Sequence, residues 1–322
     1  MGGGRKKGIE WEKRRKKGER GQGRSKKKRK QNKKMRLKIH QFDPSQIKPH
    51  RICLFLGRRG SGKSVLLEDI MGRLSDRFDI AMAMAPTTES QHMLMSHMPP
   101  AWVYDRHVPE KVEALIEAQK VAVQSGKQRS ALLVLDDCMY EKKTLKSTAS
   151  RFLFLNGRHV HITPLLTMQY CTDMDPSLRA QIDYVFICKE NIQSNRIKLY
   201  RYFCGFFERY DDFARVMDKC TENHSCLVID NVNVTNDLER CVYWYKAKFP
   251  CPPYSVGSPA YLALASRLQK TQGDMMREAE ERRAVEAAGE KAKKKKDSRI
   301  TTVEKVNKKG RVVDREEVVI LA

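Results

Sequence analysis

No apolar run in the sequence approaches the ~18 residues that cross a bilayer, and the N-terminus carries no apolar stretch of the signal-peptide kind. A soluble, intracellular protein is expected. Paired cysteines are missing too. The nine cysteines stand singly at Cys53, Cys138, Cys171, Cys188, Cys204, Cys220, Cys226, Cys241 and Cys251, and no CxxC occurs. Nothing suggests a disulfide framework, which points to a reducing compartment. Cys220, His224 and Cys226 form a close cluster but lack a second ligand pair at zinc-site spacing. A metal site and ordinary buried thiols are the two readings there. No internal repeat is present.

Acidic residues are scarce at the N-terminus. Residues 1–38 hold 19 Lys/Arg against three Glu, whereas the other 284 residues hold 44 basic and 36 acidic side chains, within a formal net charge of +24. The excess charge therefore sits mostly on a Lys/Arg/Gly-rich tail with too little apolar surface to fold alone. Such a tail is attracted to polyanions and releases their counterions on contact. The run Lys26–Lys30 reads equally as a nuclear-import signal.

With 322 residues there is room for one large α/β domain plus extensions. Composition becomes globular at Ile39, so residues 39–260 are expected to form that domain, with 261–322 a charged helical or disordered extension. Within the body, unbroken apolar runs at Ile52–Leu56, Ile80–Ala85, Ala131–Leu135, Ile162–Thr167 and Tyr184–Ile187 have the pattern of strands buried on both faces. Between them, Val65–Leu74, Pro109–Gln124 and Thr144–Leu155 show helical spacing. The alternation predicts an α/β fold, a mainly parallel sheet with helices on both faces. Further on, Tyr210–Cys220 reads as a helix, and Cys226–Ile229 and Val242–Tyr245 as late strands. A solvated helix is expected from about Ala260 to Lys296, including Met275–Arg283 and Lys293–Lys296.

Gly57-Arg58-Arg59-Gly60-Ser61-Gly62-Lys63-Ser64 is G-x-x-x-x-G-K-S between an expected strand and the helix that opens at Val65. That context makes the pattern a phosphate-binding loop. The glycines let backbone N–H groups curl around a β-phosphate at a helix N-terminus. Lys63 would bridge β- and γ-phosphate oxygens of ATP, and Ser64 would ligate Mg2+.

Ala131–Leu135 ends in Asp136-Asp137, an apolar strand closed by two carboxylates. In a nucleotide site Asp136 would hold the hydration shell of Mg2+, and Asp137 would orient and deprotonate the attacking water. The alternative is an Asp-rich turn capping a helix. Ile162–Gln169 is a further strand ending in Thr167 and Gln169. An amide at Gln169 can sense the γ-phosphate and the nucleophilic water, or merely satisfy a turn. Arg158 and Arg179 are either surface charges or forks that stabilise charge on a neighbour's γ-phosphate.

Several blocks, in order, resemble one family. They are Leu56–Ser64, then Ala85-Pro86-Thr87-Thr88-Glu89, Leu135-Asp136-Asp137-Cys138, Asn156-Gly157-Arg158-His159 with Ile162-Thr163, Gln169-Tyr170, and Leu178–Tyr184. The stretch from about 50 to 230 is similar to the virion DNA-packaging ATPases of large double-stranded DNA viruses, the poxvirus-type branch of the FtsK–HerA superfamily. The resemblance implies a RecA-like P-loop NTPase, a three-layer sandwich acting as a homo-oligomeric ring. It also implies double-stranded DNA and a capsid or portal component as partners, and the virion and host cytoplasm as location. One departure stands out: the superfamily usually ends this strand in Asp-Glu, whereas this chain has Asp136-Asp137. The rivals are an FtsK-like or conjugative translocase, a nucleoside kinase, and a DNA-binding protein without enzymatic activity.

Overall fold

A computed structural model describes residues 37–138, 147–170, 172, 174–233, 235, 237–267, 277, 281, 283–285, 288, 300–306 and 312–319. The basic tail up to residue 36, Cys171, Lys293–Lys296 and most of Met275–Arg283 lie outside the described residues. The strands are β1 His40–Gln41, β2 Cys53–Leu56, β3 Ile80–Met84, β4 Val103–Tyr104, β5 Ala131–Leu135, β6 Ile162–Met168, β7 Tyr184–Ile187, β8 Cys226–Asp230, β9 Val242–Tyr245, β10 Ile300–Val306 and β11 Val312–Val319. The helices are α1 Lys63–Leu74, α2 Thr88–Met95, α3 Pro109–Gln124, α4 Thr148–Asn156, α5 Pro176–Arg179, α6 Gln193–Phe203, α7 Tyr210–Cys220, α8 Leu238–Cys241 and α9 Pro259–Arg267.

The first nine strands make one sheet in the order β1-β9-β8-β7-β2-β6-β5-β3-β4. From β7 to β4 every pairing is parallel. β8 alone runs antiparallel to both neighbours. The unbroken apolar runs are explained by burial on both faces. Leu54 and Leu56 of β2 enter one core with α3, α4, α6 and α7, while Cys53 and Phe55 enter the other with α1 and α2. This is the expected three-layer α/β sandwich. Its consequence for function is directional: the parallel strands all end at one edge, which collects their C-terminal loops.

Three features went beyond the sequence reading. The two-residue strands β1 and β4 and the helices α2 and α6 are too short or too polar to show a period. The expected boundary near residue 260 and the solvated helix beyond it need correction. Tyr261 and Ala265, four residues apart on α9, are buried, and the Tyr261 hydroxyl donates to the carbonyl of Ala81. The extension also contains an antiparallel hairpin, β10 with β11, where a charged helical or disordered segment was expected. Its β-branched content (Ile300, Thr301, Thr302, Val303 and four valines on β11) favours strand. The high overall charge had masked that preference.

Candidate active site

Gly57 ends β2 by donating its N–H to Met168 O at 3.2 Å. A Cβ there would lie 2.4 Å from Ser61 Oγ and 2.7 Å from Cys188 Cβ, so only glycine fits. Gly60 (φ 75°) and Gly62 (φ 90°) are left-handed, a conformation glycine adopts without steric cost. The loop turns through a bond from Ser61 N–H to Arg58 O and enters α1 at Lys63. The N–H groups of the first turn of α1, including Ser64 and Val65, have no intrahelical acceptor and face the loop. Arg58, Arg59 and Ser64 are exposed. Lys63 is only 6% exposed. Its Nζ donates to Arg58 O at 3.3 Å and lies 3.9 Å from Asp137 Oδ2.

The register brings the second motif to this loop. Leu135 pairs with Leu166, so the next residues, Asp136 and Thr167, stand at one level on β5 and β6. The hydroxyl of Thr167 donates to Asp136 Oδ1 at 2.6 Å and accepts the N–H of Asp137 at 2.8 Å. Asp136 is 4% exposed. Asp137 turns out of the sheet at φ 46° and presents its carboxylate to Lys63 and to Gln169, whose Nε2 donates to Oδ2 at 3.4 Å. Beside them, burial pushes the Cys138 thiol up to about 12, helped by the charges of Asp136 and Asp137. It is protonated and serves as a packing group.

The sequence-predicted residues of the loop, Asp136, Asp137 and Gln169 thus converge across β2, β6 and β5. Thr167 had been noted only as part of the strand end. The signal that could have found it is its place one strand over from Asp136, which no linear spacing reveals. The two arginines are not brought to this site. Arg158 is exposed in the turn Gly157–Val160 before β6, at the opposite edge of the sheet. The seven residues of β6 put ~20 Å between the edges. Arg179 lies before β7 at that same far edge, its Nη2 donating to Met174 O at 2.6 Å and its guanidinium 3.8 Å over the Tyr202 ring. Elsewhere, Cys220 and Cys226 are buried thiols held protonated by burial, and His224 is exposed. Among the described residues no group of three His, Cys, Asp or Glu is placed to hold a metal ion. Nor is any described helix long and apolar enough to cross a membrane.

Comparison with known proteins gives the same outline. The chain is 34% identical over 194 residues to Uncharacterized protein 088R of Invertebrate iridescent virus 3, covering 60% of this chain and 74% of that one. It is 30% identical over 218 residues to Uncharacterized protein 075L of Invertebrate iridescent virus 6, covering 64% and 84%. Among solved structures, the genome packaging NTPase B204 from Sulfolobus turreted icosahedral virus 2 in complex with AMP is 17% identical, with a TM-score of 0.48 over 63% of this chain and all of that one. The profile of the Poxvirus A32 protein family matches residues 40–244, the stretch that holds the whole nine-stranded sheet apart from the last residue of β9. The chain belongs to the Poxvirus A32 protein family.

Proposed function

We propose that this protein is an ATP-hydrolysing motor that packages viral double-stranded DNA into a capsid. The observation that carries the reading is the convergence of the phosphate loop, Asp136 and Asp137 at one sheet edge, with Lys63 Nζ 3.9 Å from Asp137 Oδ2. Family membership supports the packaging role, and the printed role of the B204 proteins agrees with it.

The residues present fit a phosphate chain and a divalent cation. Ser61 Oγ is buried and finds no hydrogen-bond partner among the described residues, and Cβ positions at Gly60 and Gly62 meet nothing within 4 Å. The loop therefore has both an unspent hydroxyl and room on its inner side. Backbone N–H groups of 60–64 would cradle the β-phosphate, and Lys63 would neutralise β- and γ-oxygens. Ser64 and Asp136 would hold Mg2+, which when bound supplies positive charge to the phosphate oxygens. Asp137 is placed to take a proton from the attacking water, and Gln169, already bonded to Asp137, to orient that water. Thr167 fixes the direction of both carboxylates.

Arg158 and Arg179 stand ~20 Å from their own chain's loop, so a role on the γ-phosphate requires a neighbouring copy. A homo-oligomeric ring supplies one, coupling hydrolysis to assembly. The basic tail adds sequence-independent DNA affinity. The capsid or portal is the docking partner, and the virion and the host cytoplasm are the places of work.

The test is ATP turnover of the full chain with and without double-stranded DNA, alongside Lys63→Ala. DNA should stimulate the wild type, and Lys63→Ala should lose turnover while unfolding at the wild-type temperature. Substantial turnover in Lys63→Ala would overturn the site, and indifference to DNA would overturn the motor.

A further inference from the structure

A recess adjoins the phosphate loop and shares Gly57 and Gln169 with it. Its walls include Leu56, Tyr170, Glu190 and Asn195. The strand order fixes its relation to the chemistry. Asp136 and Asp137 follow β5, on one side of β2, whereas Glu190 and Asn195 follow β7, on the other. A nucleotide with its terminal phosphate toward Asp137 therefore directs its nucleoside toward Glu190 and Asn195.

The polar groups of the recess are held in one orientation. Glu190 is 7% exposed. It accepts the Ile192 N–H at 2.8 Å through Oε1 and the Asn195 Nδ2 at 3.1 Å through Oε2. An ionised carboxylate only accepts, so the Asn195 amide must face it with nitrogen. That leaves Asn195 with Oδ1 as an acceptor and one remaining N–H as a donor, in an order that cannot reverse. At the mouth, the Tyr170 ring is 44% exposed although the strand before it is fully buried. Exposed aromatic faces of this kind stack on bases.

We infer that this recess is a purine subsite in which Tyr170 stacks on the base and Asn195 selects adenine over guanine. The inference rests on the ATPase reading and deepens it. Adenine offers a donor at N6 beside acceptors at N1 and N7. Guanine offers an acceptor at O6, with a donor at N1 and an acceptor at N7. The two bases thus present opposite orders on the same edge, and an amide locked by Glu190 matches only one of them.

The experiment is steady-state hydrolysis of MgATP and MgGTP by the full chain, Asn195→Ala and Tyr170→Ala, with inorganic tripolyphosphate as a competing inhibitor. The wild type should show a KM for ATP about tenfold below that for GTP. Asn195→Ala should raise the ATP KM about tenfold, leave the GTP KM near its starting value, and so erase the preference. The loss should fall on KM rather than kcat. Tyr170→Ala should raise both KM values. Tripolyphosphate inhibition should be the same in all three proteins, which certifies a folded phosphate loop in each. An ATP-to-GTP ratio in Asn195→Ala equal to that of the wild type, or no preference in the wild type, would overturn the subsite. Neither result touches the hydrolytic reading, which stands or falls with Lys63→Ala.

Discussion

Thr167 donates its hydroxyl hydrogen to Asp136 Oδ1 at 2.6 Å from a position with no solvent exposure at all. The same oxygen accepts the Asp137 N–H. One β-branched side chain on β6 thereby orients both residues of the acidic pair on β5. A valine would fill nearly the same volume but remove both bonds, leaving the Asp137 N–H and one Asp136 oxygen unpaired. Groups that orient metal-holding carboxylates typically matter by 10- to 100-fold. Thr167→Val should therefore cut kcat/KM by roughly that factor and raise the Mg2+ concentration needed for half-maximal turnover. A magnesium titration of the ATPase rate checks it. Wild-type behaviour would mean that Asp136 does not hold the ion through this arrangement.

Gly72 in the middle of α1 opposes two effects of known size. Alanine is the better helix former by about 1 kcal/mol. Its Cβ, however, would sit 2.7 Å from the Tyr254 ring. That ring cannot swing away easily, because its hydroxyl donates to Glu68 O at 2.8 Å and its face stacks on His97 at 3.9 Å. Overpacking should win, and Gly72→Ala should lose about 1–3 kcal/mol of stability. Adding Tyr254→Ala should make the Gly72→Ala step favourable, a sign reversal that urea melts of the double-mutant cycle would register. Equal effects in both backgrounds would exclude the contact as the cause.

His50 is the group whose charge state should bear on acid stability. Its ring stacks on His161 at 4.7 Å, and its buried Nδ1 finds no hydrogen-bond partner among the described residues. Burial, then the charges of His161 and Arg51, lower its pKa from 6.5 to about 4. The unfolded chain thus binds a proton more readily than the folded one. Stability from this group is complete above pH 6.5 and is lost as pH falls from 6.5 towards 4. His50→Asn removes the titration and tolerates the left-handed backbone at φ 56°. The fall in Tm between pH 7 and pH 4.5 should be smaller in the variant. Parallel melting curves would rule His50 out as a contributor.

The tail yields a prediction about salt. Leu37 and Ile39 pack against the core, so the informative truncation begins at Leu37 and removes 18 Lys/Arg with three Glu. It should bind double-stranded DNA more weakly at low salt and show a shallower slope of log affinity against log salt. DNA-free ATPase activity should be unchanged, since every element of the nucleotide site follows Leu56. Identical affinities and slopes would leave Lys26–Lys30 as an import signal and the tail without a DNA role.

The nucleotide site was legible before any coordinates because its parts are local. A G-x-x-x-x-G-K-S loop between a strand and a helix, and two carboxylates closing an apolar run, need only neighbours in the chain. The five buried parallel strands were legible too, because burial on both faces leaves unbroken hydrophobic runs such as Ala131–Leu135. What escaped was whatever depends on residues distant in the chain. His40–Gln41 is a strand only because Tyr243 and Trp244 stand beside it. Tyr261, inside a charged segment, is a core residue only because Ala81 O receives its hydroxyl. Thr167 belongs to the site because register sets it opposite Asp136, and Arg158 does not because the length of β6 separates it from the loop. The sequence by itself determined which chemistry the chain carries, since phosphate, metal and proton handling reside in individual side chains and short turns. Only the tertiary structure decided which of those groups meet, because strand order and register are set by packing both faces of the sheet at once.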